Sequence, residues 1–360
     1  MPRLRYLRAD HALERIKSHT PPALAVDTET TGVEFYDEPF AATLSWRAPD
    51  GSLESAYLPL EGRGRERALS ALAEALRVVP AWLFHNAKFD LQKLLLIGAI
   101  DWPLIERIDL HDTQTIYTLL DENDRKGLKY LAVKILKYDD TVKVPYKTKG
   151  REGEFRLVSR EKYELDEARR KRGLKKEDGY HLLPRRVIVP YALRDTDFTL
   201  QLYERLMPAL ERRGDPDLLE LYRQAMQLKR VLLRMEGDGM KVNVPYLQEK
   251  ASEYGVKVME GWNRIVSMTG MPDLNPQSLA QVMEALNARG LYPPDTQAGT
   301  LEKLGDDEFV AALLQYREDK KLHKTYLVGL LDAQRDGIVH PNFRDDGART
   351  GRMSSGAATE

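Results

Sequence analysis

The stretch Ala23-Leu24-Ala25-Val26-Asp27-Thr28-Glu29-Thr30 decides how this chain is read. Ala23 to Val26 is a short apolar run of strand character. Alternate side chains on a strand share a face, so Asp27 and Glu29 point the same way. Two carboxylates placed like this can hold a hard cation. Magnesium prefers oxygen ligands and keeps part of its water shell, which suits a site that must also accept phosphate oxygens. The spacing alone does not decide the matter, because the same D-x-E pattern recurs at Asp306 and Glu308, in a polar stretch that reads as solvated surface.

Two further stretches set acids in structured contexts. Trp82-Leu83-Phe84 reads as a buried strand, Asn86 as a helix N-cap, and Leu91, Leu94 and Leu95 as the apolar face of a helix ended by Gly98. Asp90 then falls in the first turn, where a carboxylate is ordinarily a partner for the helix dipole. His85, just before it, reads as structural. Tyr191-Ala192-Leu193-Arg194-Asp195 runs into Phe198, Leu200, Leu202, Tyr203 and Leu206 with helical spacing. Residues four apart are neighbours on a helix, so the Tyr191 phenol and the Asp195 carboxylate project side by side. Taken singly, that pair also fits a core tyrosine with its hydrogen-bond partner.

In order, D-x-E, N-x-x-x-D and Y-x-x-x-D resemble the three exonuclease motifs of the DEDD superfamily in its tyrosine subclass. The nearest likeness is the proofreading domain of family A DNA polymerases, carried by residues 20 to 210. Supporting stretches are Asp112-Thr113, Gly127-Leu128-Lys129-Tyr130-Leu131-Ala132 and Asp195-Thr196-Asp197-Phe198. The histidine subclass has a His five positions before the last Asp, and position 190 is Pro. The resemblance implies an α/β fold, a ribonuclease H-like (DnaQ-like) mixed sheet flanked by helices, followed by an all-α thumb-like module. It also implies two divalent ions, Mg2+ or Mn2+, and removal of nucleoside monophosphates from the 3′ end of DNA. Asp27, Glu29 and Asp195 would hold the ion that carries the attacking water. Asp27 would bridge to a second ion that Asp90 supports. Tyr191 would orient the water, since a phenol titrating near pH 10 is a poor base. Thr30, Asn86 and Phe89 occupy positions that contact the terminal nucleotide in such enzymes, Phe89 by stacking or wedging.

Composition is consistent with this and adds little. The chain has 360 residues, 42% apolar and 31% charged, enough for two domains with real cores. With no cysteine, disulfides, zinc-thiolate sites and thiol catalysis are excluded. No phosphate-binding G-x-x-x-x-G-K-[ST] loop and no G-x-S-x-G elbow occurs. No apolar run long enough for a membrane span or a signal peptide is seen, and the expected location is cytoplasmic, in a bacterial cell or a phage-infected host. A net charge of −1 exerts no global pull on DNA, so attraction must be local. Residues 139–186, where Lys and Arg outnumber Asp and Glu, interrupt the exonuclease likeness and include Arg169-Arg170-Lys171-Arg172. They read either as a grip on a DNA backbone or as a solvated loop with charged helical faces.

The expected exonuclease domain is 1–212. A helical, thumb-like region follows at 213–338, with a turn at Gly237-Asp238-Gly239 and a helix opened by Asn275-Pro276-Gln277-Ser278. The segment 339–360 resembles the opening of the palm, with Arg349, Thr350, Arg352, Ser354 and Ser355 at positions that touch primer-template DNA in the family. The palm aspartates are not reached, so nucleotide addition is not expected of this chain alone, and a separate polypeptide carrying the remainder is an implied partner. Two other readings stay open on sequence: a catalytically silent DNA-binding or subunit-pairing module, and an RNase D-like exoribonuclease.

Overall fold

The computed structural model describes residues 5–145, 153, 155–175, 178–345 and 352–356, which divide into two compact units. The first comprises Met1–Gly237 with Asn342–Glu360, and the second Asp238–Pro341. These units part at 237 and 341, whereas the change to long helices and the palm resemblance set the expected boundaries at 212 and 338. Residues 216–237 and, after 341, the described residues 342–345 and 352–356 belong to the first unit.

In the first unit the order is β1 (Arg5–Leu7), α1 (Ala9–His19), β2 (Leu24–Thr30), β3 (Pro39–Arg47), β4 (Leu53–Pro59), α2 (Arg65–Val78), β5 (Ala81–Phe84), α3 (Ala87–Leu96), α4 (Trp102–Arg107), β6 (Asp109–Asp112), α5 (Thr113–Leu120), α6 (Leu128–Ile135), β7 (Thr141–Pro145), β8 (Phe155–Ser159), α7 (Arg160–Lys171), α8 (Arg185–Arg212) and α9 (Pro216–Asp238). Among the described residues a six-stranded mixed sheet runs β1-β4-β3-β2-β5-β6. β3 is antiparallel to β2 and β4, whereas β5 is parallel to β2 and β6. β3 and β4 are joined by a hairpin at Asp50-Gly51, where Gly51 adopts φ 78° and Asp50 Oδ1 accepts from the Ser52 amide at 2.9 Å.

Strand alternation distributes β2 between two cores. Leu24 and Val26 join Leu44, Trp46, Trp82 and Phe84 beneath α1, α2 and α3, while Ala25 packs with Leu83 and with Leu200 of α8. Each such large apolar side chain taken from water contributes ~1.5–3 kcal/mol, which makes the register of β2 costly to shift by one residue. A slip would exchange the faces of Asp27 and Thr28.

Within the basic segment 139–186, the described residues form regular elements. The segment holds the hairpin β7–β8 and helix α7, whose Leu165 is buried with Phe40, Tyr57 and Ile188. On α7, Arg169 pairs with Asp166 at 3.4 Å, and Arg170 and Lys171 both face Glu167. These i,i+3 and i,i+4 pairs are the charged helical faces expected of a solvated stretch.

The second unit continues with β9 (Met240–Lys241), α10 (Val244–Thr269), α11 (Leu279–Asn287), α12 (Ala298–Leu301), α13 (Glu308–Lys321), a π-helical turn Leu322–Val328, α14 (Gly329–Ala333) and β10 (Ile338–Val339). Ile265, Leu286, Leu301, Phe309, Leu313 and Tyr316 form its core. It is helical apart from the antiparallel β9–β10 pair. Pro276 lies before α11 rather than inside it, because Ser278 is the N-cap, accepting from the Gln281 amide. The second D-x-E sits at the start of α13, where Asp307 accepts from the amides of Phe309 and Val310 at 2.9 and 3.0 Å. Back in the first unit, β11 (Asn342–Arg344) pairs with β12 (Ser354–Gly356). Among the described residues, no helix is long and apolar enough to cross a membrane.

Candidate active site

Asp27 and Glu29 lie on the face of β2 that α8 covers, and α8 brings Asp195 to them. One carboxylate oxygen from each of Asp27, Glu29 and Asp195 lies within 4.8 Å of the others. The pairing of β2 with β3 shifts register directly after the second acid, where Glu29 faces Ala41 and Thr30 faces Pro39, so that Phe40 of β3 is the extra residue of a bulge. The three are an all-oxygen, hard-donor set of the kind that suits magnesium or manganese.

Asp90 reaches β2 at Thr28 and stands outside that triple. β5 pairs with β2 only at Leu24 and Ala25, so the strand runs on past its parallel neighbour. Asp90 Oδ1 fills the gap, accepting from the Thr28 amide at 2.8 Å and the Thr28 hydroxyl at 2.7 Å. Its role at the N-terminus of α3 is therefore more than that of a dipole partner. Crevices beyond the carboxyl ends of parallel strands are where α/β sheets commonly bind ligands.

Asn86 departs from the N-cap expectation. Its side chain caps nothing, and its backbone is left-handed at φ 75°, a conformation Asn tolerates better than most residues. The Asn86 and Ala87 amides instead donate to Asp112, at 3.1 and 2.9 Å. Asp112 also caps α5. The Asn86 side chain is left exposed, and Phe89 is half-buried with Lys93 Nζ 5.3 Å from its ring centre. Thr30 is half-buried and donates its hydroxyl to the Gly32 carbonyl at 2.6 Å. His85 Nδ1 lies 2.8 Å from the Thr113 hydroxyl.

Tyr191 projects from α8 one turn before Asp195. The ring of Tyr180 lies edge-on to it at 6.1 Å, from the end of the basic segment. That end approaches β2 closely: a side chain at Gly179 would meet the Thr31 carbonyl at 2.3 Å, so only glycine fits there.

Lys129, on α6, has no role that its sequence context alone assigns. Its ammonium is ion-paired with Asp195 and stands 4.3 Å from the centre of the Tyr191 ring. The only cue in the sequence is its position in Gly127-Leu128-Lys129, where one helical register faces α8. Burial pushes the Asp27 carboxyl well above the ordinary carboxylate range, and Lys129 partly offsets it. Burial likewise pushes the Lys129 ammonium down, opposed by Asp27 and Glu29. Asp90 is raised by burial and then by Asp27, against the two Thr28 hydrogen bonds. The acids are short of positive charge, and a divalent cation would reverse this balance.

Arg352, Ser354 and Ser355 are exposed at or beside β12, where Ser355 pairs with Phe343. Arg349 and Thr350 lie outside the described residues.

A family model described as 3′-5′ exonuclease matches residues 7–211, and one described as DNA polymerase family A matches residues 244–358. The chain belongs to the family A DNA polymerases. Family A relatives include DNA polymerase I of Chloroflexus aurantiacus, 29% identical over 357 residues, covering 93% of this chain and 34% of that protein. The DNA polymerase of Escherichia phage T5 is 29% identical over 298 residues, covering 76% and 33%. The chain thus spans about a third of the length of these curated family A relatives. The solved structure of the POL domain of Pol1 from M. smegmatis, in complex with DNA primer-template and dNTP, matches with a TM-score of 0.69. It covers 98% of this chain and 54% of that one at 22% identity, a likeness of fold. The second family A match also argues against a stand-alone RNase D-like enzyme, which would not continue into a polymerase segment.

Proposed function

We propose that this chain removes nucleotides from the 3′ end of DNA by divalent-metal-dependent hydrolysis, as the exonuclease portion of a family A polymerase. The observation that carries the reading is the meeting of Asp27, Glu29 and Asp195 within 4.8 Å on the β2–α8 face. In this reading Asp27, Glu29, Asp90 and Asp195 would hold two divalent ions, Mg2+ or Mn2+. Ions held there would supply a water of lowered pKa and charge neutralisation at the phosphate in the transition state.

The chain's own groups do the rest. Tyr191 fixes the attacking water by hydrogen bond, because a phenol is too weak a base to deprotonate it at neutral pH. Thr30, Asn86 and the partly accessible ring of Phe89 seat the terminal nucleotide, the ring by stacking. Asp90, held by Thr28, keeps its carboxylate at the edge of β2. The domain assignment that goes with this is exonuclease at 1–212, thumb at 213–338 and palm opening at 339–360. Arg349, Thr350, Arg352, Ser354 and Ser355 would meet primer-template DNA there, and a separate polypeptide completing the polymerase is a further partner.

The test is a 5′-labelled single-stranded DNA oligonucleotide incubated with Mn2+ or with chelator, beside an RNA of the same sequence. Metal-dependent shortening of the DNA with release of monophosphates is expected, and Asp27→Ala should abolish it. DNA binding without release would leave a silent binding module, and preference for the RNA would overturn the substrate assignment.

A further inference from the structure

Two buried lysines join the active-site helix to a segment that is distant in sequence. Lys88 is on α3, two residues before Asp90, and its ammonium contacts both Glu236 Oε1 and the carbonyl of Phe343. The Phe343 amide donates to the same Glu236 oxygen at 2.7 Å. The β11 backbone is thereby gripped through both its amide and its carbonyl by a single ion pair. Lys229, on α9, lies 3.0 Å from Asp345 Oδ2 and 3.3 Å from Asp112 Oδ2. Asp112 in turn accepts the Asn86 and Ala87 amides that open α3. Lys88, Lys229, Glu236 and Asp112 are all at least 94% buried, so none of these charges is solvated in place of its partners.

The location of the grip gives it meaning. Residues 342–345 fall within the polymerase family match at 244–358, yet they belong to the compact unit that holds the exonuclease sheet. The segment therefore belongs by sequence to one activity and packs with the other. We propose that Asn342–Asp345 is a working part of the exonuclease site: through Lys88–Glu236–Phe343 and Lys229–Asp112–Asp345 it positions the helix that carries Phe89 and Asp90. A displacement of this polymerase-side segment would then be felt at the exonuclease acids. Lys88, Glu236 and Lys229 are positioning residues in this account, with no contact to reacting atoms.

The physical basis is the cost of leaving a buried charge alone. Removing one partner of a buried pair strands the other, so movement at 343–345 cannot be absorbed locally without α3 or α9 responding. Carboxylate ligands tolerate displacements of only about 0.5 Å before a metal site loosens. Asp90 is two residues from Lys88 along the same helix and three from the Ala87 amide that Asp112 holds.

This inference rests on Asp90 being an active-site acid, and the test separates the two ideas. Lys88→Met, Glu236→Gln and the milder Asp345→Asn are made in the full chain. Metal-free amide exchange is followed over residues 86–94 and, as a reference, over β3, because local opening and global unfolding differ in which amides they expose. The Mn2+ concentration for half-maximal nucleotide release is measured alongside. Each variant should speed exchange at 86–94 by about tenfold beyond any change in β3. Each should raise the Mn2+ requirement several-fold while kcat at saturating Mn2+ stays within about twofold of the parent. The Lys88→Met, Glu236→Gln double variant should be no worse than either single one, since both break the same link. Exchange that is unchanged, or that rises equally in β3, overturns the proposal. If the parent chain releases no nucleotide with any metal, the exonuclease reading fails, and the exchange comparison still decides whether the segment tethers α3.

Discussion

Lys129 of α6 is ion-paired with Asp195 of α8, so the acid cluster carries a cation supplied by the chain itself. The side chain is about a quarter exposed, at 26%, which tempers the strength of the pair. A lysine in that position neutralises carboxylates that would otherwise repel one another across β2 and α8.

Replacing Lys129 with Met should therefore lower the stability of the metal-free protein by about 1 kcal/mol. It should also enlarge the rise in melting temperature on adding Mn2+, because the metal no longer competes with an ammonium. Thermal melts of both proteins with chelator and with Mn2+ check this. An equal Mn2+ response in the two would remove Lys129 from the role of counter-ion.

Asp27→Asn tests the opposite balance. Its carboxyl titrates above the unfolded value because it is buried, so the penalty for ionising it appears as pH rises from the carboxylate range toward neutrality and is fully present at pH 8. The neutral amide should make the metal-free protein more stable at pH 8 by about 1 kcal/mol, a figure reduced for partial solvent access. Nucleotide release should fall by a hundred- to a thousandfold, roughly the loss seen when one group stabilising the transition state is removed. Denaturant melts at pH 8 and a release assay read the two effects separately, and a destabilised variant at that pH would contradict a carboxyl raised by burial.

Tyr191→Phe keeps the ring beside Lys129 and removes only the hydroxyl. A drop in kcat of about ten- to a hundredfold is expected, with KM for a single-stranded oligonucleotide within about twofold. Steady-state kinetics decide it: a raised KM with unchanged kcat would move Tyr191 from ordering water to binding the strand.

Asp112 supplies the pH-dependent prediction. Burial pushes its carboxyl up, but Lys229, His85 and the amides of Ala87 and Asn86 overcome this and hold it below the ordinary range. A depressed carboxyl contributes stability that is present above about pH 4 and is lost as pH falls through its folded value. Urea melts from about pH 6 down to about pH 2.5 should show that loss in the parent chain, with a shallower fall in Asp112→Asn. Parallel profiles would show that the contacts of Asp112 add nothing to acid stability.

What could be read directly from the sequence were features encoded by near neighbours. The period of β2 put Asp27 and Glu29 on one face, and helical spacing put Tyr191 one turn from Asp195. Each rests on a local repeat of two or about three and a half residues, which side-chain pattern reveals without knowledge of the partner. The family resemblance extended this to the order of motifs along the chain. Local pattern also misled in a local way. Asn86 has a capping residue's identity, but its backbone lies in the left-handed region and its place is taken by Asp112 from the adjacent strand.

Tertiary structure alone decided which separated groups meet. The strand order sets β5 beside β2 but ends it early, and so leaves the Thr28 amide for Asp90 to accept. α6 turns Lys129 toward Asp195, and β11 returns from beyond a separate compact unit to lie against Lys88 and Glu236. No periodicity records these pairings, because they are set by burial of apolar faces that belong to different elements. The charged groups then take the partners that packing leaves within reach, since a buried charge without one is too costly to keep.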